Sequence, residues 1–148
     1  EKHWPRGKKI IVQTGWSGLS VEVERADILV VGEMSHDQLF RHASCVIHHG
    51  GAGTTASVLS AGRPHIIIPH IADQNFWGAE IERLGVGRVL KKRRWPEKLP
   101  LRVAEVEQSE HFRKRAIEVQ AILDKEDGPL NAVRVLESFV SNHRDRLG

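Results

Sequence analysis

The amino-acid sequence predicts an α/β fold with a mostly parallel sheet and flanking helices. Three observations lead to this fold class. Short apolar runs alternate along the chain with stretches of helical periodicity, which is typical of β-α-β units. The apolar runs are unbroken rather than alternating with polar residues, which favours strands covered on both faces. Glycine and polar residues follow directly after the runs, where the strands would end.

Five strands are predicted from the apolar runs, which are rich in isoleucine and valine. They lie at residues 10–12, 28–31, 45–48, 66–68 and, more weakly, 86–90. Gly32 closes the second strand and Pro69 the fourth, and both residue types commonly interrupt regular structure.

Three helices are predicted between these strands. Ser35 can cap a short one, and a second over residues 54–61 stops at Gly62. Asp73 can cap a third, which ends before Gly85 and whose apolar positions follow the i, i+4, i+7 spacing.

After residue 90 the pattern becomes wholly helical, and three more helices are predicted. Pro100 fits the first of them only within its first turn. The sequence Asp127-Gly128-Pro129 separates the second from the third. The apolar faces are Leu99, Val103 and Val106 in the first, Phe112, Ala116, Val119 and Leu123 in the second, and Ala132, Leu136 and Phe139 in the third.

Composition indicates a single domain over residues 1–148. Hydrophobic residues make up 40% of the chain and charged residues 28%, as in soluble globular proteins. The lone cysteine, Cys45, cannot form a disulfide framework, so a reducing, cytoplasmic setting is expected and Cys45 is interpreted as a small buried hydrophobe. No apolar stretch approaches the ~18 residues of a membrane span.

Nucleic acid is not an expected partner. The net charge is only +3, and the basic run at residues 91–94 is interpreted as a solvated loop. Aromatic residues make up 5% of the chain and tyrosine is absent, so base-stacking platforms would be scarce.

A glycine-rich stretch, "HHGGAGTT" at residues 48–55, joins the third strand to the second helix. Its glycines allow close backbone approach to a ligand, and the helix directs free N–H groups to the same place. His49, Thr54 and Thr55 can add side-chain donors. The stretch therefore predicts an anion site, although many glycine-rich turns of this kind are only tight turns.

A metal site and a dinucleotide loop are both less favoured for this stretch. His48 and His49 are neighbours on a strand and point to opposite faces, and no HExxH motif or cysteine pair supports a metal site. His48 is interpreted as a packed strand histidine. The stretch contains neither the dinucleotide GxGxxG pattern nor a Walker loop.

Asp73 and Gln74 stand at the start of the third helix, one β-α unit later. Together they offer carboxylate and amide oxygens and an amide donor beside the predicted anion site. Sugar hydroxyls need such a mixture of acceptors and donors. The two sites together predict that the ligand is a diphosphate joined to a sugar.

These motifs resemble the donor-binding signature of family 1 glycosyltransferases, which have the GT-B fold. The closest similarity is to sterol glucosyltransferases and to bacterial enzymes that glycosylate antibiotics or lipids, and it covers about residues 9–140. The segments that carry it are residues 13–16, 32–36 with 39–40, 48–55, 62–64, 68–69, 73–77 and 85–87.

The resemblance implies a Rossmann-like donor domain that holds a nucleotide-sugar, usually UDP-glucose, without a metal or cofactor. It implies that His49 and the backbone of Gly51, Ala52, Gly53 and Thr54 hold the diphosphate, and that Asp73 and Gln74 hold the sugar. The Met34 backbone would contact the base, with Glu33 and His36 near the base or ribose. Trp16 is either a wall of the base pocket or a core residue.

The sequence also departs from the family pattern. Plant members have tryptophan in place of Glu33 and a ribose-binding glutamate in place of Ser57, so UDP and dTDP both stay open as the nucleotide. The resemblance further implies a catalytic histidine base in an acceptor-binding N-terminal domain, and a central first strand of the donor domain. Neither has a counterpart among these 148 residues.

Two functions are therefore expected. The first is the donor half of an inverting transferase that moves a hexose, glucose above all, to a hydroxyl of a lipid, sterol or natural product. Its acceptor domain would act in cis or in trans, the complete enzyme could associate peripherally with a membrane, and the isolated chain would be inactive. The alternative is a non-catalytic nucleotide-sugar-binding module or one subunit of a split transferase.

Overall fold

The computed structural model of the chain describes residues 3–15 and 23–144. Within them lie five strands and six α-helices, and strands and helices alternate from the second strand to the fifth. This is the mixed α/β fold with parallel sheets and flanking helices that the sequence predicts. Trp16, assigned to the base pocket or the core, lies outside the described residues.

All described strands pair in parallel, but they form two separate sheets. Strands β1 (Ile10–Gln13) and β2 (Ile28–Val31) make the first sheet. Strands β3 (Val46–His48), β4 (His65–Ile67) and β5 (Gly87–Val89) make the second, in the order β3-β4-β5. The five predicted strands are confirmed, each to within two residues at either end.

Three helices connect the strands: α1 (His36–Phe40), α2 (Ala52–Ser60) and α3 (Gln74–Leu84). Gly85 ends α3 in the left-handed conformation, with φ of 70°, and donates its N–H back to Glu82. The predicted side-chain caps are wrong. Ser35 and Asp73 stand at the cap positions of α1 and α3, but neither side chain accepts a backbone N–H of its helix.

The C-terminal part is helical, as predicted. It contains a 3-10 turn (Lys92–Arg94) and helices α4 (Trp95–Gln108), α5 (Glu110–Leu123) and α6 (Gly128–Arg144). Pro100 lies inside α4, beyond its first turn, which corrects the prediction. The helix α4 already begins at Trp95, so Pro100 falls in its second turn. Proline has no N–H, and one carbonyl of the first turn therefore lacks its helical donor.

The core is built on β4, whose two faces pack against different helices. Ile66 packs with Leu99 and Val103 of α4, whereas Ile67 packs with Ile81 of α3 and Val119 of α5. Successive strand residues point to opposite faces, so helices on both sides bury an unbroken apolar run. By contrast, the apolar side chains of α6 are exposed, including Leu136 and Phe139. No helix in the described part of the chain is both long and apolar enough to cross a bilayer.

Candidate nucleotide-binding site

A large open cavity of about 1250 Å³ lies between the two sheets. It extends from residues that precede β1 and β3 to the loops that follow them. Five predicted site residues line it together: Glu33, Met34, His36, His49 and Thr54. The structure therefore brings together the loops after β2 and β3, because carboxyl ends of parallel strands meet at one edge.

The glycine-rich loop gives α2 an open N-terminus. Gly50 has φ of 93°, which turns the chain sharply between β3 and the helix. Gly51 then occupies the cap position without a side chain to cap the helix. The N–H groups of the first helical turn, from Ala52 to Thr54, are therefore left for a ligand, and the positive end of the helix dipole lies there too.

Some side chains of the same loop are open to the cavity, and others are buried beneath it. His49 is exposed, and its ring lies over Gly51, where an added Cβ would come within 2.6 Å of His49 Nε2. Thr54 lines the cavity. The expectation that Thr55 adds a donor is wrong, because Thr55 is fully buried and its hydroxyl donates to the Gly51 carbonyl at 2.9 Å.

His48 packs inside the structure, as predicted, and forms a directional chain with His65. The Gly50 N–H donates to His48 Nδ1 at 3.1 Å, so the proton of neutral His48 resides on Nε2. That N–H faces His65 Nδ1 at 3.2 Å. His65 must then carry its proton on Nε2, which is buried without a hydrogen-bond partner among the described residues. The pair fixes the sharp turn at Gly50.

Both rings are held neutral by their surroundings. Burial, together with the neighbouring histidines, lowers the pKa of His48 to about 3. Burial alone lowers the pKa of His65 to about 4. Sequence reasoning missed His65. The available signal was a histidine at the start of an otherwise apolar strand.

We expect the chain to lose stability as the pH falls from 7 to 5. The unfolded chain then binds protons at both histidines, whose ordinary pKa is 6.5, whereas the folded chain does not. Each histidine should contribute about 2 kcal/mol to the loss at pH 5. Urea denaturation at the two pH values measures it, and His65→Leu should show a smaller pH dependence. An unchanged free energy of unfolding between pH 7 and pH 5 would contradict the buried neutral pair.

Asp73 and Gln74 lie at the start of α3, after the next loop, and are not part of the cavity wall. An added Cβ at Gly50 would lie 3.2 Å from the Gln74 carbonyl oxygen, so the two loops are in contact. Asp73 is exposed and accepts the indole N–H of Trp77 at 3.1 Å. Gln74 is buried, and its side-chain oxygen accepts the N–H groups of His70 and Ile71. Only its amide N–H groups are left for a ligand.

The segment after β2 is positioned by a hydrogen bond from β1 and by a ring contact within α1. Gln13 donates its side-chain amide to the Met34 carbonyl at 2.9 Å, a contact that sequence reasoning did not identify. His36 stacks on Phe40 with ring centroids 4.6 Å apart. Glu33 and Met34 are exposed at the cavity. The resulting surface offers one carboxylate, one imidazole and backbone groups.

Cys45 also lines the cavity, and its chemistry is that of an unreactive thiol. Burial, reinforced by the nearby Glu107 carboxylate, raises the pKa of Cys45 to about 12. Metal-binding clusters of three or more histidine, cysteine or acidic side chains are not found within residues 3–15 and 23–144.

Comparison with known proteins identifies the family. Residues 17–139 match the family described as erythromycin biosynthesis protein CIII-like, C-terminal domain. The chain is 42% identical over 81 residues to vancomycin aglycone glucosyltransferase of Amycolatopsis orientalis. The aligned region covers 55% of this chain and 20% of that protein. It is 36% identical over 135 residues to a sterol 3-beta-glucosyltransferase of Arabidopsis thaliana, covering 83% and 20% of the two chains.

Solved structures agree on the fold. A spinosyn rhamnosyltransferase complexed with thymidine diphosphate superposes with a TM-score of 0.75 at 20% identity, covering 87% of this chain and 36% of that one. The chain thus spans about a fifth of the two curated relatives and about a third of this structure. It belongs to the erythromycin biosynthesis protein CIII-like C-terminal domain family and is a C-terminal domain of the GT-B glycosyltransferase type.

Proposed function

We propose that this domain binds a UDP-sugar, UDP-glucose in particular, as the hexose donor of an inverting glycosyltransferase. The acceptor would be a hydroxyl of a lipid, a sterol or another natural product. The observation that carries the proposal is the uncapped N-terminus of α2 at the mouth of the cavity between the sheets. A helix N-terminus with a glycine-rich entry is suited to a phosphate group.

In this proposal the diphosphate lies at the start of α2. It accepts backbone N–H groups from Gly51 to Thr54, and His49 donates a ring N–H from its position over Gly51. When the bond to the sugar breaks, negative charge grows on the diphosphate. The helix dipole and His49 stabilise that charge, a task that a metal ion performs in other enzymes.

The base and ribose would lie along the loop after β2. The Met34 backbone, which Gln13 holds in place, would contact the base edge, and Glu33 would accept ribose hydroxyls. His36, stacked on Phe40, would close the other side. The relatives support a nucleoside diphosphate in general: one neighbouring structure is complexed with thymidine diphosphate, and two curated relatives are named glucosyltransferases.

The sugar would lie beside Asp73 and Gln74. Asp73 is exposed and would accept sugar hydroxyls, and the Gln74 amide would donate to one of them. Gln74 is buried and held by two backbone N–H groups, so its amide direction is fixed before the sugar arrives. Ala72, just before them, has φ of 50°, and such backbone strain is common at ligand sites.

The proton of the acceptor hydroxyl would be removed by a histidine of an acceptor-binding domain. The deprotonated oxygen attacks the anomeric carbon from the side opposite UDP, which inverts the configuration. The exposed apolar side chains of α6, among them Leu136 and Phe139, support a docking role for this helix against such a domain.

Gly53→Ala is the sharpest test of the anion site. Gly53 lies in the first turn of α2, and an added Cβ there would meet nothing within 4 Å. The substitution should leave folding intact or improve it by about 0.5–1 kcal/mol, since alanine is the better helix former. It should nevertheless weaken UDP and dTDP binding about tenfold or more, because the methyl group would occupy the path of the diphosphate.

Calorimetry with the wild-type and variant chains measures this difference. The ratio of the UDP and dTDP affinities also decides between the two nucleotides. Equal affinities of wild type and variant for both nucleotides would refute the placement at α2. No heat with either nucleotide on a folded wild-type chain would refute nucleotide binding by this domain.

Asp73→Asn tests the sugar site separately. We expect it to weaken UDP-glucose binding about tenfold, because a charge-assisted hydrogen bond to a hydroxyl is lost. UDP binding should be unchanged, since Asp73 lies away from the cavity wall. The same calorimetry with both ligands measures it, and a parallel loss for UDP and UDP-glucose would assign Asp73 to the loop's structure instead.

A further inference from the structure

Two buried histidines, His48 and His65, lie side by side next to the glycine-rich loop. His48 ends β3, and His65 begins β4, where it pairs opposite Val46. The two rings are stacked, with centroids 5.5 Å apart and an angle of 21° between their planes. His65 is fully buried, and its strand is hydrogen-bonded on both sides, to β3 and to β5. The strand β4 is therefore a rigid support for whatever the His65 ring contacts.

The hydrogen bonds of this pair require one particular proton arrangement. Both rings are neutral at pH 7, because burial holds the pKa values of His48 and His65 near 3 and 4. A neutral imidazole has one donor nitrogen and one acceptor nitrogen. His48 accepts the Gly50 N–H at Nδ1 and therefore donates from Nε2 to His65 Nδ1. Without an acceptor at His65, the His48 proton would be free to reside on Nδ1, where it would face the Gly50 N–H as a second donor.

This arrangement is unfavourable for His65 itself. Its Nε2 carries the ring proton and is buried without a hydrogen-bond partner among residues 3–15 and 23–144. A buried N–H without an acceptor destabilises a fold, and an apolar side chain would match the isoleucines that follow at 66–68. Packing alone therefore does not explain a histidine here. The acceptor that its other nitrogen, Nδ1, supplies to His48 does explain it.

The turn at Gly50 is the point at which the pair acts on the anion site. On the helix side of the turn, the Gly51 carbonyl accepts both the N–H and the hydroxyl of Thr55, so α2 itself fixes that side. On the strand side, the Gly50 N–H donates to His48 Nδ1. The peptide that joins Gly50 to Gly51 lies between these two points. Its direction sets the direction of the Gly51 N–H, which leads into the free N–H groups of α2.

We propose that His65 is a positioning residue of the anion site and acts through His48. Its Nδ1 lone pair keeps the His48 proton on Nε2, and His48 Nδ1 thereby stays available to the Gly50 N–H. This inference rests on the proposed function, because the ligand whose affinity it affects is the nucleoside diphosphate. His65 does not line the cavity and does not touch the ligand. It holds the turn in its bound geometry in advance, so binding does not have to order the loop.

Two substitutions at this one position separate the acceptor from the packing. His65→Leu fills the space but offers no acceptor, and we expect the UDP affinity measured by calorimetry to fall about tenfold. His65→Asn packs less well but restores an acceptor, because the amide Oδ1 lies near the position of the imidazole Nδ1. It should bring the UDP affinity back to within about threefold of the wild type. His65→Val replaces His65→Leu if the leucine variant does not fold, since valine suits a strand and likewise offers no acceptor.

Val106→Ala is the control for a loss of stability without a change at the loop. Val106 is buried with Leu99 and Phe112 in the apolar cluster that contains Ile66, on the face of β4 away from His65. This variant should be less stable than the wild type and should bind UDP as tightly. A fall in UDP affinity equal to that of His65→Leu would show that lost stability, and not the lost acceptor, weakens binding.

NMR of the histidine ring nitrogens reads the tautomer without any ligand. In the wild type, His48 Nδ1 should be unprotonated and Nε2 protonated. In His65→Leu a second tautomer, with the proton on Nδ1, should appear. Hydrogen exchange of the Gly50 amide should then become about tenfold faster or more, because its acceptor is lost. An unchanged His48 tautomer and unchanged Gly50 exchange in His65→Leu would overturn the proposal.

The binding results separate this inference from the proposed function. If the wild type binds UDP and His65→Leu binds it equally tightly, the inference fails and the proposed function stands. Equal losses in His65→Leu and His65→Asn would also overturn the inference, since packing would then decide the affinity. If the wild type does not bind UDP, the proposed function fails, and with it the role of His65 in ligand binding; the tautomer and exchange readings then show only whether the hydrogen-bond chain exists.

Discussion

Gly87→Ala is expected to destabilise this domain more than any other glycine-to-alanine substitution among the described residues. Gly87 opens β5, is buried and pairs with His65 of β4. A Cβ at this position would overlap the His65 carbonyl oxygen and lie 2.8 Å from Ile81 Cδ1. The backbone of β4 cannot move aside without breaking its pairing and the two apolar clusters on its faces.

The expected loss is about 3 kcal/mol or more, which is large for a small domain. Urea denaturation followed by circular dichroism measures the free energy of unfolding. A variant that is already unfolded without urea would show a loss larger than the whole stability of the domain. Gly32→Ala is the matched control, because Gly32 is exposed, has no positive φ and would meet nothing within 4 Å. Its stability should change by at most about 0.5 kcal/mol. Equal stability of the two variants would show that β4 and β5 do not pack as described.

Gly50→Ala should combine a loss of stability with a loss of nucleotide binding. Gly50 has φ of 93°, which alanine rarely adopts, and the added Cβ would lie 2.7 Å from Ile67 Cγ2. Backbone strain and overlap together should cost about 2–4 kcal/mol. The loop would relieve them by shifting, which moves the N-terminus of α2. We therefore expect UDP affinity to fall by about a hundredfold or more in variant protein that still folds.

Gly7→Ala separates the two causes. Gly7 also has a positive φ, of 79°, but an added Cβ there would meet nothing within 4 Å, and Gly7 does not line the cavity. This variant should lose only the stability that backbone strain costs at a positive φ, about 1–2 kcal/mol. Thermal unfolding and UDP calorimetry on both variants make the comparison. If Gly50→Ala binds UDP as tightly as the wild type, the glycine-rich loop does not hold the diphosphate.

Local sequence predicted the helices and strands because their signals are local. Ile66 and Ile67 lie in an apolar run flanked by turn residues, and the structure buries them on opposite faces of β4. Gly85 ended α3 as expected, since only a left-handed residue closes a helix in that way. The cap predictions failed at Asp73 because Trp77, one turn later, offers the carboxylate a different donor.

The residues of the glycine-rich loop predict an anion site, but they do not predict which of its side chains are buried and which are exposed to the cavity. Thr54 and Thr55 are adjacent and chemically identical. Thr54 nevertheless lines the cavity, whereas Thr55 is buried and donates its hydroxyl to the Gly51 carbonyl. The sequence could assign different environments to His48 and His49, because neighbouring strand residues point to opposite faces. It could not identify the hydrogen-bond partner of His48. His65 lies 17 residues away and contacts His48 only after β3 and β4 pair.

The sequence by itself determined the order of elements and the family, because these depend on short motifs and on periodicity. The positions at which a nucleotide-sugar would be held stay a prediction. Only the tertiary structure decided that the described strands form two sheets rather than one, and that Glu107 contacts both Lys8, before β1, and Ser44, before β3. The physical reason is that edge pairing depends on which strands are neighbours in space. A sequence pattern specifies which residues form a strand but not whether its second edge finds a partner.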